Sequence, residues 1–267
     1  MRYLLILLEI FVFSGNAFAG AWTQAPGDGL AIITTSYYGT DRFFDNSGHS
    51  QPQPAYTKTT LSPYLEYGWR DGTTIGANLS LQYARQDGTF TQSNWGLSDS
   101  ELFLRQRLWQ LNGFVLSAEP MIKLPSPERA SAMPKLGGHS FDAGFGLLAG
   151  YGFGAFGLNH FVDLDTHYRY RFGVPRDQIN LAATAGISLT ERFMLMPQMF
   201  LTYRASAPKV AIFTESPADD YNLVQLQLSA VYKLNNGVSL QGGGFATIDG
   251  KNTGAGGGVL FSVWKTF

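Results

Sequence analysis

The chain has 267 residues, no cysteine and 15% charged residues, with a formal net charge of −1. A disulfide framework is excluded, and so is an electrostatic case for nucleic acid, which requires a basic surface. The 31 glycines, 20 phenylalanines and 13 tyrosines suit strands and turns, and the length fits one large all-β domain.

The first element is MRYLLILLEIFVFSGNAFA, residues 1–19. It carries Arg2, an apolar stretch from Tyr3 to Phe13 blemished by Glu9, a Ser-Gly-Asn break, and then Ala17 and Ala19. The apolar run is shorter than the ~20 residues that a helix needs to cross a bilayer. It reads as an export signal cleaved after Ala19, which makes Gly20 the mature start and 20–267 a single domain.

From there the sequence predicts strands near 29–41, 55–69, 73–86, 97–110, 113–124, 139–152, 157–172, 178–190, 193–205, 220–234, 237–249 and 253–267. Many are longer than the usual globular strand and long enough to cross a bilayer at a tilt. Tight breaks occur at WRDGT (69–73), LNG (111–113), TER (190–192) and NNG (235–237). Asn-Gly and Asp-Gly suit hairpin turns that need positive φ. Long polar breaks at 41–55, 87–96, 125–138 and 206–220 alternate with the tight ones. Two further breaks, GVPRDQ and DGKNT, are short. About twelve antiparallel strands with short periplasmic turns and longer outer loops describe an up-and-down transmembrane β-barrel in a bacterial outer membrane.

Strand patterning agrees. In HFVDLDTHYRYRFG (160–173), Asp163, Asp165, His167, Arg169 and Arg171 alternate with Val162, Leu164, Thr166, Tyr168, Tyr170 and Phe172. Alternate side chains point to opposite faces of a strand. In a soluble sandwich the polar face meets water; in a membrane barrel it lines the interior. The same pattern predicts a lumen carrying Glu66, Arg105, Arg107, Glu119, Lys123, Asp163, Asp165, His167, Arg169, Arg171 and Arg204. Tyr67, Trp69, Tyr83, Trp109, Tyr151, Tyr203, Tyr232 and Trp264 fall near strand ends, where interfacial girdles sit. Pro63, Pro120 and Pro197 each remove a ladder donor, which predicts bulges. The last stretch, GGVLFSVWKTF, ends on Phe267 with Val263, Phe261 and Val259 at alternate positions behind it. It resembles the C-terminal signature that the barrel-assembly machinery reads, with Lys265 as a departure that snorkels at the rim.

Catalytic motifs do not emerge. GFGAFG (152–157) matches G-x-G-x-x-G, but a strand follows it and Asp163 comes too soon for a dinucleotide site. It reads as a glycine-rich turn, and the GGG runs at 242–244 and 256–258 read as structural. A barrel acyl hydrolase with both groups on one strand face needs His and Ser two residues apart. His49–Ser50 and His139–Ser140 are adjacent, while His160 and His167 have Val162 and Arg169 at that spacing. Asp163, Asp165 and His167 share a face, but same-face neighbours are about 6.6 Å apart along a strand. A salt-bridged wall with Arg105, Arg107, Glu119 and Lys123 explains them better than a metal. No catalytic residue, metal or cofactor is expected.

GFVLSAEPMIKLPSP, FDAGFGLLAGYGF and HYRYRFGVPRDQINLAATAGISLTERFMLMPQMF, within 113–203, carry a family resemblance. This region resembles the outer-membrane proteins grouped with the meta-pathway of phenol degradation. The shared features are a Lys-Leu-Pro-type loop entrance, a glycine-rich hairpin and a Tyr-Arg-rich strand. The resemblance implies an outer-membrane barrel passing small, often hydrophobic or aromatic solutes. Its surroundings would be outer-membrane lipid and lipopolysaccharide. Related barrels accompany exopolysaccharide and biofilm genes, so polysaccharide export is the alternative; Phe103, Phe161, Phe200 and Phe245 are the candidate inward aromatics for it.

Overall fold

The computed structural model describes residues 20–129, 131–138, 140–207, 209 and 220–267. The expected export signal at 1–19 and His139 lie outside the described residues. All regular structure among those described is strand.

Fifteen strand segments form one continuous antiparallel sheet that closes on itself. They are β1 (Gly29–Phe44), β2 (Ser50–Arg70), β3 (Thr73–Asn78), β4 (Leu81–Gln86), β5 (Gln92–Leu97), β6 (Ser100–Leu111), β7 (Phe114–Leu124) and β8 (Asp142–Ala155). Then follow β9 (Leu158–Arg171), β10 (Gln178–Ser188), β11 (Phe193–Arg204), β12 (Asn222–Lys233), β13 (Val238–Lys251), β14 (Thr253–Gly254) and β15 (Gly257–Thr266). Three staves are each made of two segments, β3 with β4, β5 with β6, and β14 with β15. The barrel therefore has twelve staves. Its seam is β1, which pairs with β2 on one side and with β15 on the other, from Leu30↔Thr266 to Gly39↔Gly257.

One end carries the tight turns. Asn112–Gly113, Phe156–Gly157 and Asn236–Gly237 all have positive φ at both residues, the backbone that a two-residue hairpin with right-twisted strands requires. GFGAFG thus ends in a turn. At the other end the connections vary, and the longest are 125–141 and 205–221. Two expected loops are partly strand. β1 and β2 run on to Phe44 and Ser50, and β5 begins at Gln92. The Asp45 carboxylate closes the first hairpin by accepting the Ser47 and His49 N–H groups at 2.8 and 2.9 Å. Polar side chains on both faces hide a strand from an alternation test, yet its ladder still pairs.

The prolines produce gaps rather than bulges. Across Pro63 the register continues unbroken from Tyr64↔Asn78 to Leu61↔Leu81, and the break between β3 and β4 lies opposite the proline. Pro120 and Pro197 likewise interrupt one neighbouring ladder without a slip. A missing N–H deletes a bond but leaves the pleat count unchanged. The register shifts fall instead at Thr40/Arg42, Gly68/Arg70, Arg107/Trp109 and Val224/Gln225.

Outside, the barrel wears apolar residues: Ile33, Leu65, Leu102, Leu147, Val162, Leu164, Leu228, Val259, Phe261 and Val263 are all exposed. Tyr67, Trp69, Trp109, Tyr151 and Tyr232 stand exposed toward the turn end, and Tyr83 and Tyr203 toward the loop end. Trp264 breaks the expectation of a girdle residue. Its parity turns it inward, where it packs on the Phe161, Met194, Met196 and Val231 cluster and donates Nε1–H to Gln241. Lys265 reaches the Asn236 carbonyl at 2.6 Å on the turn-end rim. Phe267 is exposed beside the seam, its backbone paired with Gly29.

Candidate functional site

The polar parity of β2, β6, β7 and β9 converges inside the barrel on Arg105. Its Nε donates to Glu119 Oε2 and its Nη1 to Glu66 Oε1, both at 2.7 Å. Tyr64 donates its hydroxyl to the same Glu66 oxygen at 2.5 Å, and His167 Nε2 lies 3.1 Å from Glu119 Oε1. Arg105, Glu66 and Glu119 are all buried. Ions so placed persist only when paired and hydrogen-bonded.

Residues 20–28, ahead of the first strand, enter the lumen from the turn end and are pinned to this cluster. Ala21 N–H donates to Asp163 Oδ1 at 2.9 Å, and Ser117 Oγ donates to the Ala21 carbonyl at 2.6 Å. Arg105 donates to the Trp22 carbonyl. Gln24 donates its backbone N–H to Thr74 Oγ1 at 2.7 Å and its side-chain amide to Glu66 Oε2 at 2.6 Å. Gly27 and Asp28 bond the Gly68 backbone as a short rim contact. The Trp22 ring fills the lumen floor between two apolar clusters, Ala21–Val115–Leu148 and Phe161–Met194–Met196–Val231. It meets Phe161 edge-on at 5.8 Å. Gly150 makes this possible: a Cβ there would sit 2.6 Å from the indole.

Above the plug lies a cavity of about 540 Å³, within the range of small-ligand sites. Its two walls differ. One carries Tyr64, Glu101, Arg105, Glu119, Asp163 and Asp165. The opposite wall is uncharged, with Thr34, Gln198, Gln227, Gln241 and Ser262 among Ile32, Phe200, Leu260 and Trp264. Gln227 bridges Gln198 and Ser229 at 2.7 and 3.1 Å, so that wall is an amide ladder.

Toward the loop end the charge continues as pairs. Arg169 meets Glu101 at 2.6 Å, and Lys123 meets Asp99 and Asp142 at 3.1 Å each. Arg171 Nε lies 3.7 Å from Asp142. Asp177, in the loop after β9, accepts from the Arg171 N–H, the Tyr168 hydroxyl and Lys209 Nζ. Burial pushes its carboxyl up, but these bonds and the Lys209 charge outweigh burial and hold it below the ordinary aspartate value. The outer edge of β5 pairs with no strand among the described residues. The 125–138 loop covers it by side-chain bonds, among them Asn94 to Glu128 at 2.7 Å and Ser98 to the Leu136 carbonyl at 2.6 Å.

Of the expected lumen file, Glu66, Arg105, Glu119, Asp163, Asp165 and His167 gather at the centre. Lys123, Arg169 and Arg171 sit nearer the loop end. Two lie apart from it. Arg107 keeps the inward parity of Arg105 but lies two residues nearer the turn, where it pairs with Asp71 at 2.8 Å on the turn-end rim. Arg204 is at the loop end, bonded to Asn222 and Asn46. The expected salt-bridged wall is also incomplete. His167 does meet Glu119, but no ion pair links Asp163 or Asp165 to Arg105, Arg107 or Lys123 within 4 Å; Asp163 holds the plug instead. No three His, Asp or Glu groups among the described residues form a metal-sized cluster. Sequence reasoning missed Ala21, Trp22, Gln24, Ser117 and Thr74. The one available signal was a tryptophan in a nine-residue segment that fits no strand.

No family model matches this sequence, and no curated protein matches it significantly. Solved structures do share its fold. The COG4313 outer membrane channel from Pseudomonas putida F1 superposes with a TM-score of 0.73 at 15% identity, over 95% of this chain and 100% of that one. A KdgM porin superposes at 0.51 and 7% identity, over 88% of this chain and 99% of that one. At these identities the likeness is one of fold: an outer-membrane-type β-barrel.

Proposed function

We propose that this protein is an outer-membrane channel for small hydrophobic or aromatic compounds, closed at its periplasmic, short-turn end by its own residues 20–28. The observation that carries this is the two-walled cavity seated directly on the plug. Its uncharged wall of amides, hydroxyls and apolar side chains suits a ligand with a large apolar body and one or two polar groups. The two structural neighbours, a channel and a porin, support passage rather than catalysis. The apolar exterior with aromatic residues at both ends fits outer-membrane lipid, and the exposed Phe267 on the seam suits recognition by assembly machinery. A polysaccharide path would present free aromatic faces in file. Phe103, Phe161 and Phe245 are instead engaged with Tyr64, Trp22 and Tyr38, so small-solute passage is the better reading.

Planar-bilayer recording tests it. The chain from Gly20 onward should be closed or nearly so, and a variant lacking residues 20–26 should conduct in steps. If neither conducts while both show heat-modifiable gel migration, the channel reading fails.

A further inference from the structure

The central cluster is short of positive charge. Among the described residues, the carboxyl groups of Glu66, Glu119, Asp163 and Asp165 face only the Arg105 guanidinium and the His167 imidazole. Both of Arg105's ion pairs are taken by Glu66 and Glu119, and His167 also turns to Glu119. The Asp165 carboxyl lies against that of Asp163, and its buried Oδ1 has no hydrogen-bond partner. Two adjacent carboxylates, Asp163 buried and Asp165 half-buried with its Oδ1 out of solvent, and no cation of their own, are a costly arrangement.

The chain's own backbone lies on this pair. Ala21 N–H bonds Asp163, and the residue before it touches the same carboxylate. A Cβ at Gly20 would fall 2.2 Å from Asp163 Oδ2 and 2.5 Å from Cγ, and Gly20 has a φ of +114°. Only glycine stands there without strain. Independently, Ala17 and Ala19 place an export-peptidase cut between Ala19 and Gly20.

We propose that cleavage creates the missing cation: the α-ammonium of Gly20 seats on the Asp163–Asp165 pair and locks the plug in the lumen. In the cut, water adds across the Ala19–Gly20 amide. Hydroxyl goes to the Ala19 carbonyl carbon and hydrogen to the Gly20 nitrogen, which then takes up a proton. One peptide N–H becomes three N⁺–H donors, enough for Asp163 Oδ2 and the orphaned Asp165 Oδ1. Charge-assisted bonds of this kind are roughly twice as strong as neutral ones. The plug is thus completed by processing, and a chain cut elsewhere would carry a peptide or a longer arm where the cation belongs. This inference rests on the exported-barrel reading.

The test uses the protein purified from outer membranes of cells expressing the full-length sequence. Intact-mass measurement should give the chain starting at Gly20. Its α-amine should react with an amine-selective acylating reagent at neutral pH at least tenfold more slowly in the folded barrel than in the urea-unfolded chain. D163N/D165N should restore labelling toward the unfolded rate. A mature end at another residue overturns the proposal. So does a folded barrel, identified by heat-modifiable migration, whose Gly20 amine labels as fast as in the unfolded chain. That comparison needs no variant, so a misfolding double mutant does not shield the proposal. Loss of heat-modifiable migration in the unmutated protein would instead refute the barrel reading itself.

Discussion

Replacing Arg105 by methionine isolates what the central cluster contributes. The substitution keeps an unbranched apolar stem of similar reach but removes the guanidinium. Glu66 and Glu119 each lose a 2.7 Å charge-assisted bond, and the plug loses its bond at the Trp22 carbonyl. Both carboxylates are buried, at 1% and 7% exposure, so the charge left behind is poorly solvated. Breaking a buried pair from one side costs about 3–5 kcal/mol. With a urea slope of about 2 kcal/mol per molar, a loss of about 4 kcal/mol moves the unfolding midpoint down by about 2 M. Tryptophan emission of the protein refolded in lipid vesicles reads the transition. The attraction itself is nearly cancelled by desolvation, so the damage should be reversible. R105M/E66Q/E119Q, which leaves neither glutamate position charged and unpaired, should recover more than half of the shift. A single-variant shift below about 0.5 M, or a triple variant no more stable than R105M, would refute the reasoning that this network stands on charge compensation.

Gly186→Ala should cost about 1–3 kcal/mol in the same urea assay, because the new methyl would lie 1.9 Å from the Phe161 ring; adding F161L should relieve part of that cost. Trp22→Ala should raise open-channel probability in planar bilayers, since the indole is what fills the lumen floor between the two apolar clusters; unchanged closure would mean that the polar anchors alone hold the plug. Because the Asp177 carboxyl is held below its ordinary value, its contribution is present above the unfolded aspartate pKa of about 3.9 and is lost as pH falls through the folded value. Hydrogen exchange at the Arg171 amide, corrected for its intrinsic pH dependence, should therefore be protected at pH 6 and lose that protection on acidification below the carboxylate range. D177N should abolish the difference. A saturable quench of tryptophan emission by a nitroaromatic solute, reduced in W264F, would place an aromatic ligand in the cavity that Trp264 lines; linear, non-saturating quenching counts against it.

Strand parity carried most of what the amino-acid sequence reveals. Val162 and Leu164 face out and Asp163 and Asp165 face in because a strand alternates, and a barrel of twelve staves follows from repeating that rule between turns. Where parity and proximity to a chain end disagreed, parity decided: Trp264 lies between the outward Val263 and Lys265 and so turns inward. The plug was illegible for a different reason. Residues 20–28 are held by bonds such as Ala21 to Asp163, 142 positions apart, and by backbone groups that every residue possesses. Nothing local in GAWTQAPGDG encodes which wall will receive it. Arg107 shares the parity of Arg105, and parity alone does not say how far along the strand the lumen floor lies; Arg107 falls at the rim beside Asp71.

The plug is joined to the barrel wall without an intervening linker, since Asp28 leads straight into the seam strand β1. Nine residues extend at most about 30 Å. If released, the segment would therefore stay within a small volume around the turn-end mouth, where its effective concentration would be in the millimolar range expected for short tethers. Opening is then a competition that the departing ligand re-enters at once, and a free peptide of the same residues would need comparable concentrations to keep it out. In the channel proposed above, openings would then be brief and frequent, with the dwell time set by the anchors on Asp163, Thr74 and Glu66 and the closing rate set by the leash.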